Sequence, residues 1–317
     1  MKILANDGIA PIGKEILEDA GHTVITDKVE QDQLINAINS ENYEVVLVRS
    51  ATTVRKEVID ACPNLKMIGR GGVGMDNIDV DYAREKGVFV FNTPASSSQS
   101  VAELVFAHLF GLTRFVYDAN RKMPIEGGSN FKTLKKAYGK GIELRGKTLG
   151  LIGLGRIGQY TAKYGLGLGM KVIASDPYVP QAIIKVPVGD EEVKVDINTT
   201  SMKEVLTKSD FISLHVPKQS DGSAVIGKQE IELLKDGLIL VNLSRGGVIE
   251  EDALLEGLNS GKVAAAALDV FENEPTPRED ILKHPKISLT PHIGAATIEA
   301  QDRIGEEIAE IILKNAK

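Results

Sequence analysis

The sequence predicts an α/β protein with two doubly wound parallel-sheet domains, and three observations support this. Short apolar segments alternate with helix-patterned segments over residues 1–98. A second alternation begins at residue 147 and continues through six apolar strands. The glycine-rich stretch "LIGLGRIG", residues 151–158, lies at the first of these six strands. Strands that alternate with helices are typical of βαβ units, and 317 residues exceed a typical domain of ~100–200 residues, so two such domains are expected.

The first domain is expected to begin at the N-terminus and to be complete by residue 98. Its strand-like segments are "KILAND", "HTVIT", "YEVVLVRS", "LKMIGRGG" and "VFVFNTP". The segments between them are "IGKEILEDAG", "DQLINAINS", "KEVIDAC" and "VDYAREKG". This regular alternation indicates a small α/β domain rather than an N-terminal extension.

A long helix is predicted over residues 100–118. Ser100 is expected to be its N-cap, and Glu103 three residues later would complete a capping box. The faces of this helix are apolar nearly all round, which predicts burial on more than one side, between domains or against a partner subunit. An ordinary core helix is the alternative. Residues 121–145 are polar, lysine-rich and dotted with glycines, and are predicted to form a loop.

The second domain has six expected strands, each ending in a polar or charged residue. They are "KTLGLIG", "MKVIASD", "DFISLHVP", "LILVNLS", "VAAAALDV" and "ISLTPH". In a doubly wound domain ligands bind at the carboxyl ends of the strands, so these polar residues are candidates for function.

Charge and composition argue against several classes of partner. The net charge of −7 includes no basic run, so neither nucleic acid nor a membrane surface is expected to bind. Cys62 is the single cysteine, and the five histidines show no metal-ligand spacing, so no metal is expected. The N-terminus lacks the apolar run of a signal peptide, and Glu103, His108 and Arg114 interrupt the one long apolar stretch. We therefore expect a soluble, cytoplasmic protein.

The glycine-rich stretch has the spacing of a dinucleotide-binding fingerprint. Gly153 permits the tight turn, Gly155 lets the backbone approach a pyrophosphate, and Gly158 lets the helix pack closely on the sheet. The following strand ends in Asp176, 18 residues after Gly158, where a carboxylate can bind the ribose hydroxyls and repel a 2′-phosphate. The sequence therefore predicts NAD as the cofactor. A glycine-rich turn with a chance aspartate is the alternative.

Polar groups at three further strand ends fit the reduction of a 2-keto acid. Arg245 can pair with a carboxylate through two hydrogen bonds. His292 can pass a proton to the ketone oxygen, and a carboxylate such as Glu274 or Asp269 favours its charged form. Taken singly, the arginine could be a solvated ion-pair partner and the histidine a structural residue.

Nearly the whole chain resembles the D-isomer-specific 2-hydroxyacid dehydrogenases, and within them the phosphoglycerate dehydrogenases. The resemblance lies in "GRGGVGMDNID", "NTP", "SVAEL", "GKTLGLIGLGRIG", "LHVP", "NLSRGG", "ALDVFENEP" and "TPHIGA", in family order. It implies a Rossmann NAD-binding domain, residues 99–293, inserted into a flavodoxin-like substrate domain, residues 1–98 plus 294–317. It also implies the catalytic set Arg245, Glu274 and His292. The residues implied to bind NAD, besides the fingerprint glycines, are Arg156, Ile157, Asp176, His215, Val216, Pro217, Leu243, Ser244, Asp269, Gly294 and Ala295.

The same resemblance implies a substrate site in the first domain. Arg49 and Arg70 end two of its strands and are expected to bind a phosphate, with Ser50 beside them. Backbone N–H groups of residues 71–74, including those of Gly72, Val73 and Gly74, are expected to bind a carboxylate oxygen, as in a nest. The expected reaction is the NAD-dependent oxidation of D-3-phosphoglycerate to 3-phosphohydroxypyruvate, the first step of serine biosynthesis. The expected assembly is a homodimer or a dimer of dimers.

Two rival functions stay open at this point. One is a hydroxypyruvate/glyoxylate reductase or another D-2-hydroxyacid dehydrogenase, which needs no phosphate site. The other is an NAD-sensing scaffold like the carboxyl-terminal-binding-protein corepressors. The chain also departs from the family pattern. It ends without a C-terminal regulatory domain, so feedback by serine is not expected. The 121–145 segment lacks a tryptophan usual there, and the segment after Asp176 is longer than usual.

Overall fold

The computed structural model describes residues 1–316, which form two compact units. The first unit comprises Met1–Ser100 together with the chain from Ala295 onward, and the second comprises Val101–Gly294. The resemblance implies that the first segment ends at residue 98 and the inserted domain at residue 293. These bounds lie two residues before Ser100 and one residue before Gly294. The α/β class predicted from the alternating pattern is confirmed.

The first unit contains a five-stranded parallel sheet. Its elements in chain order are β1 (Lys2–Ala5), α1 (Pro11–Asp19), β2 (Thr23–Ile25), α2 (Leu34–Ser40), β3 (Val45–Val48), α3 (Lys56–Ala61), β4 (Met67–Arg70), α4 (Val80–Glu85) and β5 (Phe89–Asn92). The strand order is β2-β1-β3-β4-β5, and every neighbouring pair is parallel. This is the flavodoxin-like order, in which ligands bind where the winding direction reverses, beside the carboxyl ends of β1 and β3.

The helix predicted over residues 100–118 is α5 (Ser98–Thr113), and its boundaries differ from the prediction. Ser100 lies inside the helix rather than at its N-cap, because the chain already turns at Ser98, whose N–H donates to the carbonyl of Ala95. The helix ends before residue 118 because Phe115 adopts a left-handed backbone conformation with φ 56°. The predicted burial on more than one side is observed for most of the helix, while Phe110 is 44% exposed.

The predicted loop over residues 121–145 is wrong for most of its length, because α6 spans Val116–Ala137. The backbone of α6 breaks at Asn130, and the Tyr138 hydroxyl donates to Asp118 over 2.6 Å. A straight helix would separate residues 118 and 138 by about 30 Å, so the chain folds back at the break. Asp118 near the start and Lys135 and Lys136 near the end of α6 complement the helix dipole.

The second unit contains a six-stranded parallel sheet with one antiparallel hairpin. The elements in chain order are β6 (Thr148–Ile152), α7 (Arg156–Gly167), β7 (Lys171–Ser175), β8 (Gln181–Val188), β9 (Glu191–Asn198), α8 (Met202–Lys208), β10 (Phe211–Leu214), α9 (Lys228–Leu233), β11 (Leu238–Asn242), α10 (Glu251–Ser260), β12 (Val263–Leu268), α11 (Glu279–Leu282) and β13 (Ile287–Leu289). The sheet order is β13-β12-β11-β10-β6-β7, with β6 and β10 side by side although the hairpin separates them in sequence. The winding direction therefore reverses beside β6, where the fingerprint begins.

The longer segment noted after Asp176 forms the hairpin of β8 and β9, which the sequence analysis did not assign. The two strands pair from Gln181↔Asn198 to Val188↔Glu191. Gly189 and Asp190 form the two-residue turn, and Gly189 has the positive φ of 62° that such turns require. Alternate side chains of β8, among them Ile184 and Val186, are buried against the core of the second unit.

The C-terminal helix α12 (Ile298–Asn315) belongs to the first unit. Its Ile304, Ile308 and Ile312 are buried in the same core as Ile3 and Leu47 of the central strands. The contact between α12 and α1 is close enough to require glycine at position 13. A Cβ atom on Gly13 would lie 2.5 Å from the carbonyl oxygen of Gly305.

No single helix within residues 1–316 is long and apolar enough to cross a membrane. The bent pair α5 and α6 meets the length and composition criteria only together, with a 52° angle between the two helices. In the same range, no group of three or more His, Cys, Asp or Glu side chains is placed to hold a metal ion.

Candidate active site

The glycine fingerprint connects β6 to α7 and is closely packed on one side and open on the other. Gly153 has φ 98°, and a Cβ atom there would lie 2.5 Å from the carbonyl oxygen of His215. A Cβ on Gly158 would lie 2.2 Å from the carbonyl oxygen of Gly153. No atom lies within 4 Å of the corresponding position on Gly155, so the loop can be approached there. With the exposed Arg156 in the first turn of α7, this arrangement fits the pyrophosphate of a dinucleotide.

Asp176 lies directly after β7 and is bound to the fingerprint loop. One carboxylate oxygen accepts the N–H of Leu154 over 2.7 Å, and the other accepts the N–H groups of Tyr178 and Val179. These bonds hold the side chain beside the dinucleotide loop. A carboxylate offers about four acceptor positions, so one remains for a ribose hydroxyl.

The residues after β10 line the closely packed side of the loop. The ring of His215 packs near Gly158, and its Nε2 atom is buried without a hydrogen-bond partner in residues 1–316. Burial lowers the pKa of His215 to about 3, so the imidazole is neutral at neutral pH. Val216 is half-buried and Pro217 is exposed. An orphaned polar atom beside the glycine loop is consistent with a bound dinucleotide there.

His292 and Glu274 form a close pair. Nδ1 of His292 lies 2.8 Å from Oε2 of Glu274, and the two side chains are 42% and 36% exposed. The other oxygen of Glu274 accepts the N–H of Phe271 over 2.9 Å, which orients the carboxylate toward the ring. Because Nδ1 faces Glu274, Nε2 is the ring nitrogen left to exchange a proton with a substrate.

Asp269 holds the backbone that carries His292. It is 1% exposed, and its oxygens accept the Thr290 hydroxyl and the N–H groups of Ile293 and Gly294, at 2.6, 2.9 and 2.8 Å. His292 itself has φ 55°, in the left-handed region that disfavours residues with a side chain. Asp269 and Gly294 are both predicted to contact NAD, and in the structure the Gly294 N–H donates a hydrogen bond to Asp269.

Arg245 lies in a turn built by Asn242 at the end of β11. The Asn242 side chain donates to the carbonyl of Arg245 over 2.9 Å and accepts both the N–H and the hydroxyl of Ser244. The Arg245 guanidinium donates to the carbonyl of Ser244 over 2.6 Å. Leu243, predicted to contact NAD, is 6% exposed and belongs to the core.

Asn242 is a residue that sequence reasoning missed. The signal was a buried asparagine at the end of an apolar strand, where an amide can shape the following turn.

The turn with Arg245 packs directly on the segment that leads to Glu274. A Cβ atom on Gly246 would lie 1.7 Å from the carbonyl oxygen of Phe271, so only glycine fits there. Glu251 and Glu272 reinforce the contact, because each side chain accepts the backbone N–H of the other residue over 3.0 Å. Burial raises the pKa of Glu251. Sequence reasoning missed this reciprocal pair, which links residues 21 positions apart.

In the first unit, Arg49 and Arg70 end neighbouring strands, as the sequence analysis supposed. Val48 of β3 is in register with Arg70 of β4. The Asn77 side chain connects the two strand ends, since it donates to the carbonyl of Arg49 over 2.8 Å and accepts Nε–H of Arg70 over 3.1 Å. The half-buried Arg49 guanidinium makes no hydrogen bond or ion pair within residues 1–316. Burial lowers the pKa of Arg49, and the charge of Asp7 opposes this shift.

Of the four backbone N–H groups predicted to bind a carboxylate, those of residues 71–74, two already donate to other groups of the protein. The N–H of Gly71 donates to the carbonyl of Val48 over 3.0 Å, and that of Gly72 donates to the Thr93 hydroxyl over 2.8 Å. These bonds close the turn after β4 and occupy both donors. The N–H groups of Val73 and Gly74 are left as candidates for a ligand. Ser50, also predicted to bind substrate, is exposed.

Comparison with known proteins identifies relatives along the whole chain. The family model for the NAD-binding domain of D-isomer specific 2-hydroxyacid dehydrogenases matches residues 106–294. The hydroxypyruvate reductase of Thermotoga maritima is 45% identical over 306 residues, 96% of this chain and 92% of that protein. The D-3-phosphoglycerate dehydrogenase of Methanocaldococcus jannaschii is 42% identical over 99% of this chain, which spans 57% of that longer relative. The D-lactate dehydrogenase of Aquifex aeolicus, crystallised with NAD and lactic acid, has a TM-score of 0.77 at 30% identity and covers 100% of this chain and 95% of its own.

Proposed function

Because the chain belongs to the D-isomer-specific 2-hydroxyacid dehydrogenase family, whose cofactor is NAD, we propose that it interconverts D-3-phosphoglycerate and 3-phosphohydroxypyruvate. In this proposal it catalyses the first step of serine biosynthesis, in the cytoplasm and as a homodimer or dimer of dimers. The observation that carries the choice of substrate is the half-buried Arg49 guanidinium, which makes no hydrogen bond or ion pair within residues 1–316 and ends the strand beside that of Arg70.

His292 and Glu274 act on the proton in this proposal. Reduction of the ketone needs a proton at the C2 oxygen, and Nε2 of His292 donates it. Nδ1 keeps its hydrogen bond to Glu274, which orients the ring so that Nε2 faces the substrate. When bound, the nicotinamide cofactor would supply the hydride to C2 as NADH in reduction and accept it as NAD⁺ in oxidation.

Three arginines bind the anionic substrate in this proposal. Arg245 pairs with the carboxylate and polarises the C2 oxygen, from a turn held by Asn242 and Gly246. Arg49 and Arg70 bind the phosphate, for which planar guanidinium groups are well suited. The N–H groups of Val73 and Gly74 bind the second carboxylate oxygen.

A hydroxypyruvate reductase is the second candidate, and the similarity to the Thermotoga maritima protein favours it. That relative matches this chain over nearly the full length of both, whereas the phosphoglycerate dehydrogenase of Methanocaldococcus jannaschii is much longer. A non-enzymatic NAD-sensing scaffold is disfavoured, because Arg245, Glu274 and His292 are all present and the last two are paired.

The test is NADH oxidation with four keto acids measured side by side. The purified protein is assayed with 3-phosphohydroxypyruvate, hydroxypyruvate, glyoxylate and pyruvate, each over a full range of concentrations. The proposal expects the highest kcat/KM with 3-phosphohydroxypyruvate. A higher kcat/KM with hydroxypyruvate would replace it with the reductase, and no turnover with any of the four would favour the scaffold.

A further inference from the structure

A buried histidine of α5 connects to the loop that carries His292. His108 is 5% exposed, on a helix whose other buried side chains are mostly apolar. Its Nδ1 lies 2.8 Å from the Ser288 hydroxyl, and its Nε2 lies 3.1 Å from the Thr290 hydroxyl. Burying an imidazole is unfavourable unless its polar atoms are hydrogen-bonded, and here both ring nitrogens are.

The direction of each hydrogen bond in this series follows from the Asp269 carboxylate, which accepts from Thr290. Both oxygens of Asp269 accept backbone N–H groups, and Oδ1 also accepts from Thr290 over 2.6 Å, so the single hydroxyl proton of Thr290 points at Asp269. The Thr290 oxygen then accepts from His108, which places the ring proton on Nε2. Burial lowers the pKa of His108, although Asp269 opposes this, and the neutral ring accepts the Ser288 hydroxyl at Nδ1.

The other end of the network fixes the backbone at His292. Asp269 accepts the N–H groups of Ile293 and Gly294, the two residues after His292. These bonds stabilise the left-handed conformation of His292, which is uncommon for residues with a side chain. The orientation of the Asp269 carboxylate depends in turn on Thr290.

We infer that His108 is a positioning residue for His292. Its Nε2–H orients the Thr290 hydroxyl, and that hydroxyl holds the Asp269 carboxylate against the backbone beside His292. The inference rests on the proposed function to the extent that His292 is the proton donor. No cofactor or substrate contact is assigned to His108 or Thr290 themselves. Since Asp269 and Gly294 are predicted to contact NAD, kcat and NADH affinity are measured separately, and kcat is the readout of the inference.

The experiment compares matched variants of the two residues. Thr290→Val removes the hydroxyl at nearly constant volume, and Thr290→Ser keeps it. His108→Leu removes the Nε2 donor, and His108→Gln keeps an N–H donor at a similar reach. Thr113→Val is the control, since Thr113 is a buried threonine of α5 whose hydroxyl donates only to the carbonyl of Leu109. Each variant is assayed for kcat, KM, NADH affinity by fluorescence, and thermal unfolding, with the keto acid that the enzyme reduces fastest.

The expected result is a loss confined to kcat. Thr290→Val and His108→Leu are each expected to lower kcat about ten-fold with KM and NADH affinity within two-fold, since misplacement of a catalytic group slows the chemical step. Thr290→Ser, His108→Gln and Thr113→Val are expected to stay within three-fold of the unmodified enzyme. Because both residues act through one path, the double variant is expected to be no slower than the slower single variant.

Three outcomes would overturn the inference. They are an unchanged kcat in Thr290→Val or in His108→Leu, multiplicative losses in the double variant, or an equal loss in Thr113→Val. If His108→Leu does not fold, His108→Phe, which also lacks the Nε2 donor, takes its place. Failure of the proposed function is distinguished by His292→Ala, because a variant that keeps turnover without His292 removes the proton donor whatever His108 does.

Discussion

Nδ1 of His292 lies 2.8 Å from Oε2 of Glu274, while the second oxygen of Glu274 is held by the N–H of Phe271. The carboxylate is thus fixed before a substrate arrives, and the ring can turn only its Nε2 toward one. This relationship is the basis of the first two predictions.

His292→Ala is expected to lower kcat by about 10²–10⁴-fold, because that is the typical contribution of a positioned proton donor. NADH affinity, measured by fluorescence titration, is expected to stay nearly unchanged. A variant that retains more than about a tenth of the original kcat would exclude His292 from proton transfer.

Glu274→Gln is expected to lower kcat for reduction by about ten-fold, because the amide no longer fixes the Nδ1 side of the His292 ring and Nε2 is less well directed toward the substrate. NADH affinity is expected to stay within two-fold. The check is kcat and a fluorescence titration with both enzymes, and an unchanged kcat would show that Glu274 does not position His292.

Arg49→Ala and Arg70→Ala are expected to raise KM for 3-phosphohydroxypyruvate by about ten-fold or more. A charge-assisted hydrogen bond contributes roughly 1.5–3 kcal/mol, and 1.4 kcal/mol corresponds to ten-fold in affinity. KM for unphosphorylated hydroxypyruvate is expected to change little. An equal loss with both substrates would reject the phosphate assignment and favour the reductase.

The protein is expected to be a dimer or a dimer of dimers. Phe110 is 44% exposed beside an apolar groove of about 470 Å³ lined by α5, α7 and β8, and Ile125 of α6 is 83% exposed. Apolar surface of this kind is typical of an interface. Light scattering at micromolar concentration is expected to give at least twice the chain mass of 34.2 kDa.

Two aspartate variants locate the interface. Phe110→Asp is expected to shift the population toward the single-chain mass. Phe89→Asp is the matched control, since Phe89 is 40% exposed on β5 of the first unit. A single-chain mass for the unmodified protein would refute the assembly, and dissociation by Phe89→Asp alone would place the interface elsewhere.

The parallel sheets could be predicted because their strands are short apolar runs with polar ends. The helix α6 could not, since its Pro124 and glycines suggest a loop and its stabilising contact joins Asp118 to Tyr138 after the chain folds back. The β8–β9 hairpin could have been predicted, because apolar and polar residues alternate on both sides of Gly189 and Asp190.

The candidate site, too, could be predicted from the sequence only in part. Arg245, Glu274, His292 and the fingerprint glycines stand in recognisable motifs. The groups that hold them do not, because they act through contacts between distant parts of the chain. His108 and Thr290 are 182 residues apart, and only the packing of α5 near β13 brings them together.

The contribution of α12 to the first unit has a consequence for biosynthesis on the ribosome. Every strand of the first sheet is translated before residue 100, yet Ile304, Ile308 and Ile312, which complete its core, are translated more than 200 residues later. Throughout that interval α12 is missing from this side of the sheet and only α1 covers it, a state in which nascent chains are prone to aggregate. Ribosome-stalled chains ending before Ile298 are therefore expected to be protease-sensitive in the first unit, and extension past Asn315 is expected to protect it.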